Sequence, residues 1–349
     1  MMAHLVICAD GTWNQPEEDL EEDYPTNVLK LARGITPEHE GVRQQVFYGW
    51  GIGSYRNHLS GALTGAGIQK NILDGYRYLL HNYAQGDDIY LFGFSRGAYN
   101  VRVLCGLINN CGILTREHAS LITRAWEIYK SDADGDWPGG EKARAFRARH
   151  SHPSRRIHFI GVWDTVGELG IPLSLLGGVF NNDQEFYDTK LGGNIATARH
   201  ALAIDEHRKN FEPTLWEARG GVDLKQVWFA GVHSDIGGGK APDKQGRQAS
   251  DAPLGWMLAE ANAAGLATDA HVYTRLTDGA RGALHHSRRH IYRLRPEYDR
   301  PLITEGRPTL IHESVKARYE RDERYRPTRL EALVAERGWA NIALETTHG

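Results

Sequence analysis

Residues 88–97 read Asp88-Ile89-Tyr90-Leu91-Phe92-Gly93-Phe94-Ser95-Arg96-Gly97, and the chain runs on through Ala98-Tyr99-Asn100-Val101. The first half is a short, nearly unbroken apolar run, the kind that a parallel sheet covered on both faces buries. Beyond it, Val101, Leu104, Cys105 and Ile108 recur at helical spacing, predicting a helix over Arg96 to Asn109. Gly93 and Gly97 flank Ser95 at the junction. A strand that turns this sharply into a helix brings neighbouring backbone to where a Cβ would stand, and glycine leaves that room. Such a turn lifts the serine hydroxyl above the sheet, and the helix N-terminus just beyond supplies amide donors and a positive dipole end. The plainer role for the serine is a helix cap. Strand, turn and helix in register favour a nucleophile.

Working outward, other apolar runs predict strands at His4 to Ala9, Gln45 to Tyr48, Asp88 to Phe92, Ile157 to Val162, Gln226 to Val232 and His290 to Leu294. Longer amphipathic stretches alternate with them: Gly67 to Tyr83, Leu254 to Ala264 and Ser314 to Arg324. That alternation specifies an α/β fold with a mainly parallel central sheet flanked by helices. One such domain spans residues 1–349. Leu169 to Phe186 is apolar and glycine-rich without either periodicity, so an insertion over 167–200, acting as a lid or acyl-binding segment, is expected. Asp132 to Gly140 is turn-rich and lacks the closing Glu of a calcium loop, so a surface loop is expected.

A hydroxyl is a poor nucleophile until a base takes its proton, and that base needs an orienting acid. In an α/β-hydrolase fold the chain order is Ser, acid, His, each placed just after a strand. Asp164 follows the run ending at Val162, and His233 follows the run ending at Val232. They are the expected acid and base. Asp235 with His312 forms the alternative pair, although Asp235 suits loop bracing and His312 suits the start of a helix. The oxyanion hole takes the Arg96 amide and a second donor from the loop after the first strand, Gly11 or Thr12. Asp10 is placed to hold that loop by accepting N–H bonds.

Bulk properties exclude several classes. With 349 residues, 41% hydrophobic and 24% charged, the chain can bury a large core. A formal net charge of −3 gives no reason to expect nucleic acid. The arginine-rich patches at Arg144 to Arg156 and Arg288 to Arg295 read as solvated surface. No apolar run is long enough to span a membrane, and no secretory signal precedes the first strand. Three cysteines, Cys8, Cys105 and Cys111, read as small core residues of a chain kept reduced, so a cytoplasmic location is expected, with signal-independent export left open. No glycine-rich phosphate loop and no HExxH occurs, and neither a metal site nor a cofactor is expected.

The set Asp10-Gly11-Thr12-Trp13-Asn14, Gly93-Phe94-Ser95-Arg96-Gly97-Ala98, Trp163-Asp164-Thr165-Val166-Gly167, Ala203-Ile204-Asp205-Glu206-His207-Arg208, Trp228 through Gly239, and Ile311-His312-Glu313-Ser314-Val315 runs in order over nearly the whole chain. It resembles α/β hydrolases long carried as a domain of unknown function, among them the catalytic domain of the first class of type VI secretion phospholipase effectors. The resemblance implies a Ser-Asp-His site and lipid esters, above all phospholipid acyl esters; peripheral membrane contact is left open. A catalytically silent hydrolase fold used for interaction, and an amidase with the same triad, are the alternatives. Oligomeric state is left open.

Overall fold

The computed structural model describes residues 2–11, 16–17, 19, 23–50, 65–131, 133–166, 190–287, 297–303 and 309–347. Their apolar runs form β1 (Ala3–Ala9), β3 (Val42–Gly49), β4 (Asp88–Phe94), β5 (Ile157–Trp163) and β7 (Asp223–Phe229). To these the structure adds β2 (Glu38–His39), β6 (Ile195–Ala203), β8 (Leu310–His312) and β9 (Ala343–Glu345). They make one nine-stranded sheet in the order β2-β3-β1-β4-β5-β6-β7-β8-β9. Only β2 runs antiparallel to its neighbour. In register, Cys8 faces Tyr48 on one side and Phe92 on the other. The winding reverses between β1 and β4. A crevice forms at the carboxyl ends of strands where a parallel sheet reverses in this way, and Asp10 and Ser95 stand there.

Helices cover both faces, which is why the strands are apolar on alternate as well as successive positions. One face of β1 sends Leu5 and Ile7 into a core with α2 (Gly65–Asn82), α3 (Arg96–Cys111) and α4 (Ile122–Lys130). The other sends Val6 and Cys8 against α1 (Asn27–Gly34) and, beyond Phe92 and Phe159, α7 (Asp251–Ala263). Between these lie α5 (Glu141–His150) and the one-turn α6 (His233–Gly237), with α8 (Ala270–Thr274) following α7. A smaller core joins β8 to α9 (Glu313–Arg321) and α10 (Thr328–Arg337) through Ile311, Val315 and Leu330. Thr26 caps α1, its hydroxyl accepting from the Leu29 amide at 3.1 Å. All three cysteines are buried and unbridged.

Three expectations are corrected. The insertion expected over 167–200 gives way to β6 by residue 195, a central strand hidden in the sequence by its alanines and by Arg199 and His200. Both side chains are buried with polar partners: Arg199 meets Asp223 at 2.6 Å and Glu260 at 2.5 Å, and His200 Nε2 takes the Thr165 amide at 3.1 Å. β7 starts three residues earlier than Gln226 and ends at Phe229. The arginine-rich stretch 144–156 is not wholly a solvated face, since Arg147 and Arg155 turn in to bond the Asn110 and Asn109 carbonyls at the end of α3. The apolar stretch Leu169 to Phe186 and the strand expected at His290 to Leu294 lie outside the described residues.

Two buried histidines make the fold acid-sensitive. His200 Nε2 accepts the Thr165 amide at 3.1 Å, and burial, reinforced by Arg102, lowers its pKa to about 3. His312 caps α9, its Nδ1 accepting the Ser314 amide at 3.2 Å, while its ring stacks on Phe229, and burial lowers its pKa to about 4. Unfolded histidines take a proton near pH 6.5 and these do not, so stability is complete above that pH and falls as the pH drops toward the folded values. Each should cost about 1 kcal/mol between pH 7.5 and 5.5. Urea titrations at the two pH values should show His312→Gln losing less stability than wild type over the interval, and equal losses would refute this account.

Candidate active site

The β4–α3 junction is built on two close backbone approaches. A Cβ at Gly97 would stand 2.0 Å from the Ala9 carbonyl oxygen, and one at Gly93 would stand 2.6 Å from the Ala98 nitrogen. With both absent, β4 turns straight into α3, and Ser95 sits at φ 56°, ψ −122°, a strained conformation for a residue with a Cβ. Its amide donates to the Trp163 carbonyl at 3.2 Å, anchoring the turn to β5. Its side chain makes no capping bond to α3. The hydroxyl instead lies 2.9 Å from His233 Nε2.

His233 opens α6, just beyond β7. Its Nδ1 lies 2.6 Å from Asp164 Oδ2, so Nδ1 carries the proton and Nε2 presents its lone pair to Ser95. The ring is held between Phe94 and Phe211, with centroids 4.7 and 5.0 Å away. Gly237 makes room for this packing, because a Cβ there would fall 2.1 Å from the Phe94 ring. The His233 amide donates to Glu206, a fully buried carboxylate that Arg208 pairs at 2.8 Å.

Asp164 follows β5 and is fully buried, with φ 42°. Oδ1 accepts from the Ala203 amide at 3.0 Å and from Arg300 Nη1 at 2.6 Å, while Arg300 Nη2 reaches Oδ2 at 3.1 Å. Burial alone would raise the carboxyl, but the Arg300 guanidinium and then His233 hold it well below the ordinary carboxylate range. Arg300 is itself buried and also donates to the Ala203 and Phe211 carbonyls.

The structure brings Ser95, His233 and Asp164 together and leaves Asp235 and His312 elsewhere. Asp235 Oδ2 accepts the Val232 and His285 amides, both at 3.0 Å, and Oδ1 meets His285 Nδ1 at 2.6 Å, so it braces the loop behind His233. His312 is engaged on Ser314 and, through Nε2, on Thr347 at 3.0 Å. Asp10 holds its loop as expected, accepting Thr26 Oγ1 at 2.6 Å and Tyr48 OH at 2.7 Å. It also takes the Gly11 amide at 2.7 Å, which turns that amide away from service as an oxyanion donor. Thr12 lies outside the described residues. The Arg96 amide, first in α3, faces no intrahelical acceptor by the geometry of a helix start.

Residues 3–260 match the family described as the type VI secretion phospholipase effector Tle1-like catalytic domain. The chain belongs to that family. Among similar proteins, the uncharacterized protein YEL023C of Saccharomyces cerevisiae is 27% identical over 231 residues, covering 60% of this chain and 32% of its own length. A structure of the Tle1 effector bound to the VgrG spike of the type VI secretion system superposes with a TM-score of 0.41 at 18% identity, covering 69% of this chain and 52% of that one. An uncharacterized protein from Pseudomonas aeruginosa superposes with a TM-score of 0.43 at 16% identity, covering 79% and 49%. The chain thus spans about a third of the curated relative (32%) and about half of the two solved chains (52% and 49%).

In this Tle1-like domain the residues missed by sequence reading are Arg300, Phe211 and the role of Glu206. Glu206 lies in a stretch that carries the resemblance, so a signal existed. Arg300 sits in Glu297-Tyr298-Asp299-Arg300, which shows none. Removing it strands a buried carboxylate, which typically costs about 3–5 kcal/mol. Urea unfolding of Arg300→Met should show a loss of that order. The double variant with Asp164→Asn should recover part of it, because the uncompensated charge is then gone; strictly additive losses would show that the pair is not coupled.

Proposed function

We propose that this chain hydrolyses carboxylic esters of lipids, phospholipid acyl esters first among them, with Ser95 as nucleophile. The observation that carries the reading is the continuous bonding of Ser95 Oγ to His233 Nε2 at 2.9 Å and of His233 Nδ1 to Asp164 at 2.6 Å. In the first half-reaction Ser95 Oγ attacks the ester carbonyl as His233 Nε2 takes its proton. The tetrahedral oxyanion is stabilised by the Arg96 amide and the α3 dipole. His233 then protonates the leaving alcohol, and the acyl group stays on Ser95. Water attacks that acyl-enzyme, giving its proton to His233, which returns it to Ser95 as the fatty acid leaves. Asp164 stays ionised throughout and stabilises the imidazolium.

Membership of a phospholipase effector family supports the lipid ester. Arg96 supports a phosphate nearby: its guanidinium follows the nucleophile, burial lowers its pKa to about 10, and Nε has no hydrogen-bond partner among the described residues. Among the described residues no helix is long and apolar enough to cross a membrane.

A panel of p-nitrophenyl esters and short-chain phosphatidylcholines, run on wild type beside variants, tests the reading. Ser95→Ala and His233→Ala should lower kcat by about 10⁴- to 10⁶-fold with the fold intact by circular dichroism. Asp164→Asn should be somewhat milder, and Asp235→Asn and His312→Gln should retain measurable turnover. Fluorophosphonate should label Ser95 alone, and matched amides should turn over far more slowly than esters. Wild-type turnover by Ser95→Ala would remove the proposal.

A further inference from the structure

His233 is gripped from a further side by the stretch that follows β6. That stretch runs along the end of β7: the Ile204 amide donates to the Phe229 carbonyl and the Asp205 amide to the Gly231 carbonyl, both at 3.0 Å. Glu206 is thereby carried to the start of α6, where Oε2 accepts the His233 amide at 3.3 Å. An amide in the first turn of a helix has no acceptor within it, so this bond anchors the main chain of the base. The carboxylate has no exposure. Burial alone would raise its pKa, but Arg208, with smaller help from Arg300 and His233, holds it below the ordinary range.

Arg208 closes on Glu206 from two atoms, Nε to Oε1 and Nη2 to Oε2, both at 2.8 Å, and its amide donates to Oε1 at 3.0 Å. The Phe211 amide donates to the Arg208 carbonyl at 2.9 Å, which folds the chain back so that the guanidinium lies over the Phe211 ring, 3.4 Å from its centroid. That ring in turn meets the His233 imidazole edge to face, with centroids 5.0 Å apart and planes at 75°. Glu206 therefore reaches His233 twice, at its backbone directly and at its ring through Arg208 and Phe211. Two carboxylate–arginine pairs bracket the base, Asp164 with Arg300 and Glu206 with Arg208, and both arginines meet on Phe211, one at its carbonyl and one at its ring. A buried ion pair is often no more stabilising than apolar side chains of the same volume, so stability is a weak account of this one.

We propose that Glu206 is a positioning residue of the Ser95 centre: with Arg208 and Phe211 it sets the place and the tilt of the His233 imidazole between Asp164 and Ser95. The inference rests on the reading of Ser95 and His233 as nucleophile and base. Proton transfer across the 2.9 Å between them tolerates little displacement, and misplacement by about 1 Å costs on the order of a hundredfold in rate. Glu206 is fully buried and out of reach of substrate, so its loss falls on kcat rather than on KM.

Kinetics and crystal structures of two variants of the whole chain test this. Glu206→Met with Arg208→Met removes both charges and the acceptor at similar volume, an exchange that buried ion pairs commonly tolerate. Phe211→Leu removes the ring and leaves the backbone carbonyl for Arg300. Each should fold by circular dichroism and lower kcat on a p-nitrophenyl ester about ten- to a hundredfold with KM unchanged. In their crystal structures His233 Nε2 should lie beyond about 3.5 Å from Ser95 Oγ. Wild-type kcat in either folded variant, a loss confined to KM, or a His233 ring still within hydrogen-bond reach of both Ser95 and Asp164 would overturn the proposal. Were the double variant not to fold, Phe211→Leu would decide alone by the same readouts. The crystal structures need no turnover, so a wild type inactive toward esters would remove the catalytic reading while the distance still decided the placement of His233.

Discussion

The charge on Asp164 is the constraint from which the arrangement at the carboxyl ends of the strands follows. A carboxylate without any exposure costs several kcal/mol to bury unless its lone pairs are met. Here Arg300 meets both oxygens, the Ala203 amide meets one, and His233 Nδ1 the other. Because Arg300 is also buried, it in turn needs acceptors, and it takes the Ala203 and Phe211 carbonyls. A single carboxylate therefore ties the end of β5, the end of β6, the stretch through Phe211 and residues 297–303 to one point. The same charge selects the His233 tautomer. With Nδ1–H drawn to Asp164, the Nε2 lone pair has one place to go, and Ser95 Oγ is there.

Ser95 is delivered by backbone rather than by side-chain contacts. Its dihedrals cost on the order of 1–3 kcal/mol, which a surrounding structure must offset. The offset comes from β4, hydrogen-bonded between β1 and β5 up to the turn, and from α3 pressed onto the end of β1 at Gly97. Strain and chemistry coincide here: a hydroxyl pointing away from its own helix is free to meet a base that comes from three strands across the sheet. The Phe94 and Phe211 rings then keep the imidazole from rotating away.

What could be read from sequence divides along physical lines. Ser95, Asp164 and His233 were legible because each follows an apolar run, and the ends of parallel strands are where such a fold collects reactive groups. The mainly parallel sheet was legible for the same reason. β6 was not, because its burial depends on pairing Arg199 with Asp223 and Glu260 and on satisfying His200, and neither shows as hydrophobic periodicity. β8 and β9, three residues each, are too short to display a period. Arg300 could not be found at all, since its partner lies 136 positions earlier in the chain. Gly11 illustrates the reverse: its small size was a fair reason to expect an oxyanion donor, but Asp10, one residue away, competes for the same amide and holds it.

α3 links the two regions of charge that the structure separates. Its N-terminus carries the positive end of the helix dipole to Ser95, where an oxyanion would develop. Its C-terminus leaves carbonyls without helical partners, and Arg147, Arg155 and Ser151 take those of Asn110, Asn109 and Cys111. Arg102 and Arg219 bond carbonyls of other segments, those of Thr214 and Leu191. One helix thus presents its amide terminus to the serine hydroxyl at one end and its carbonyl terminus to the side chains that cap it at the other.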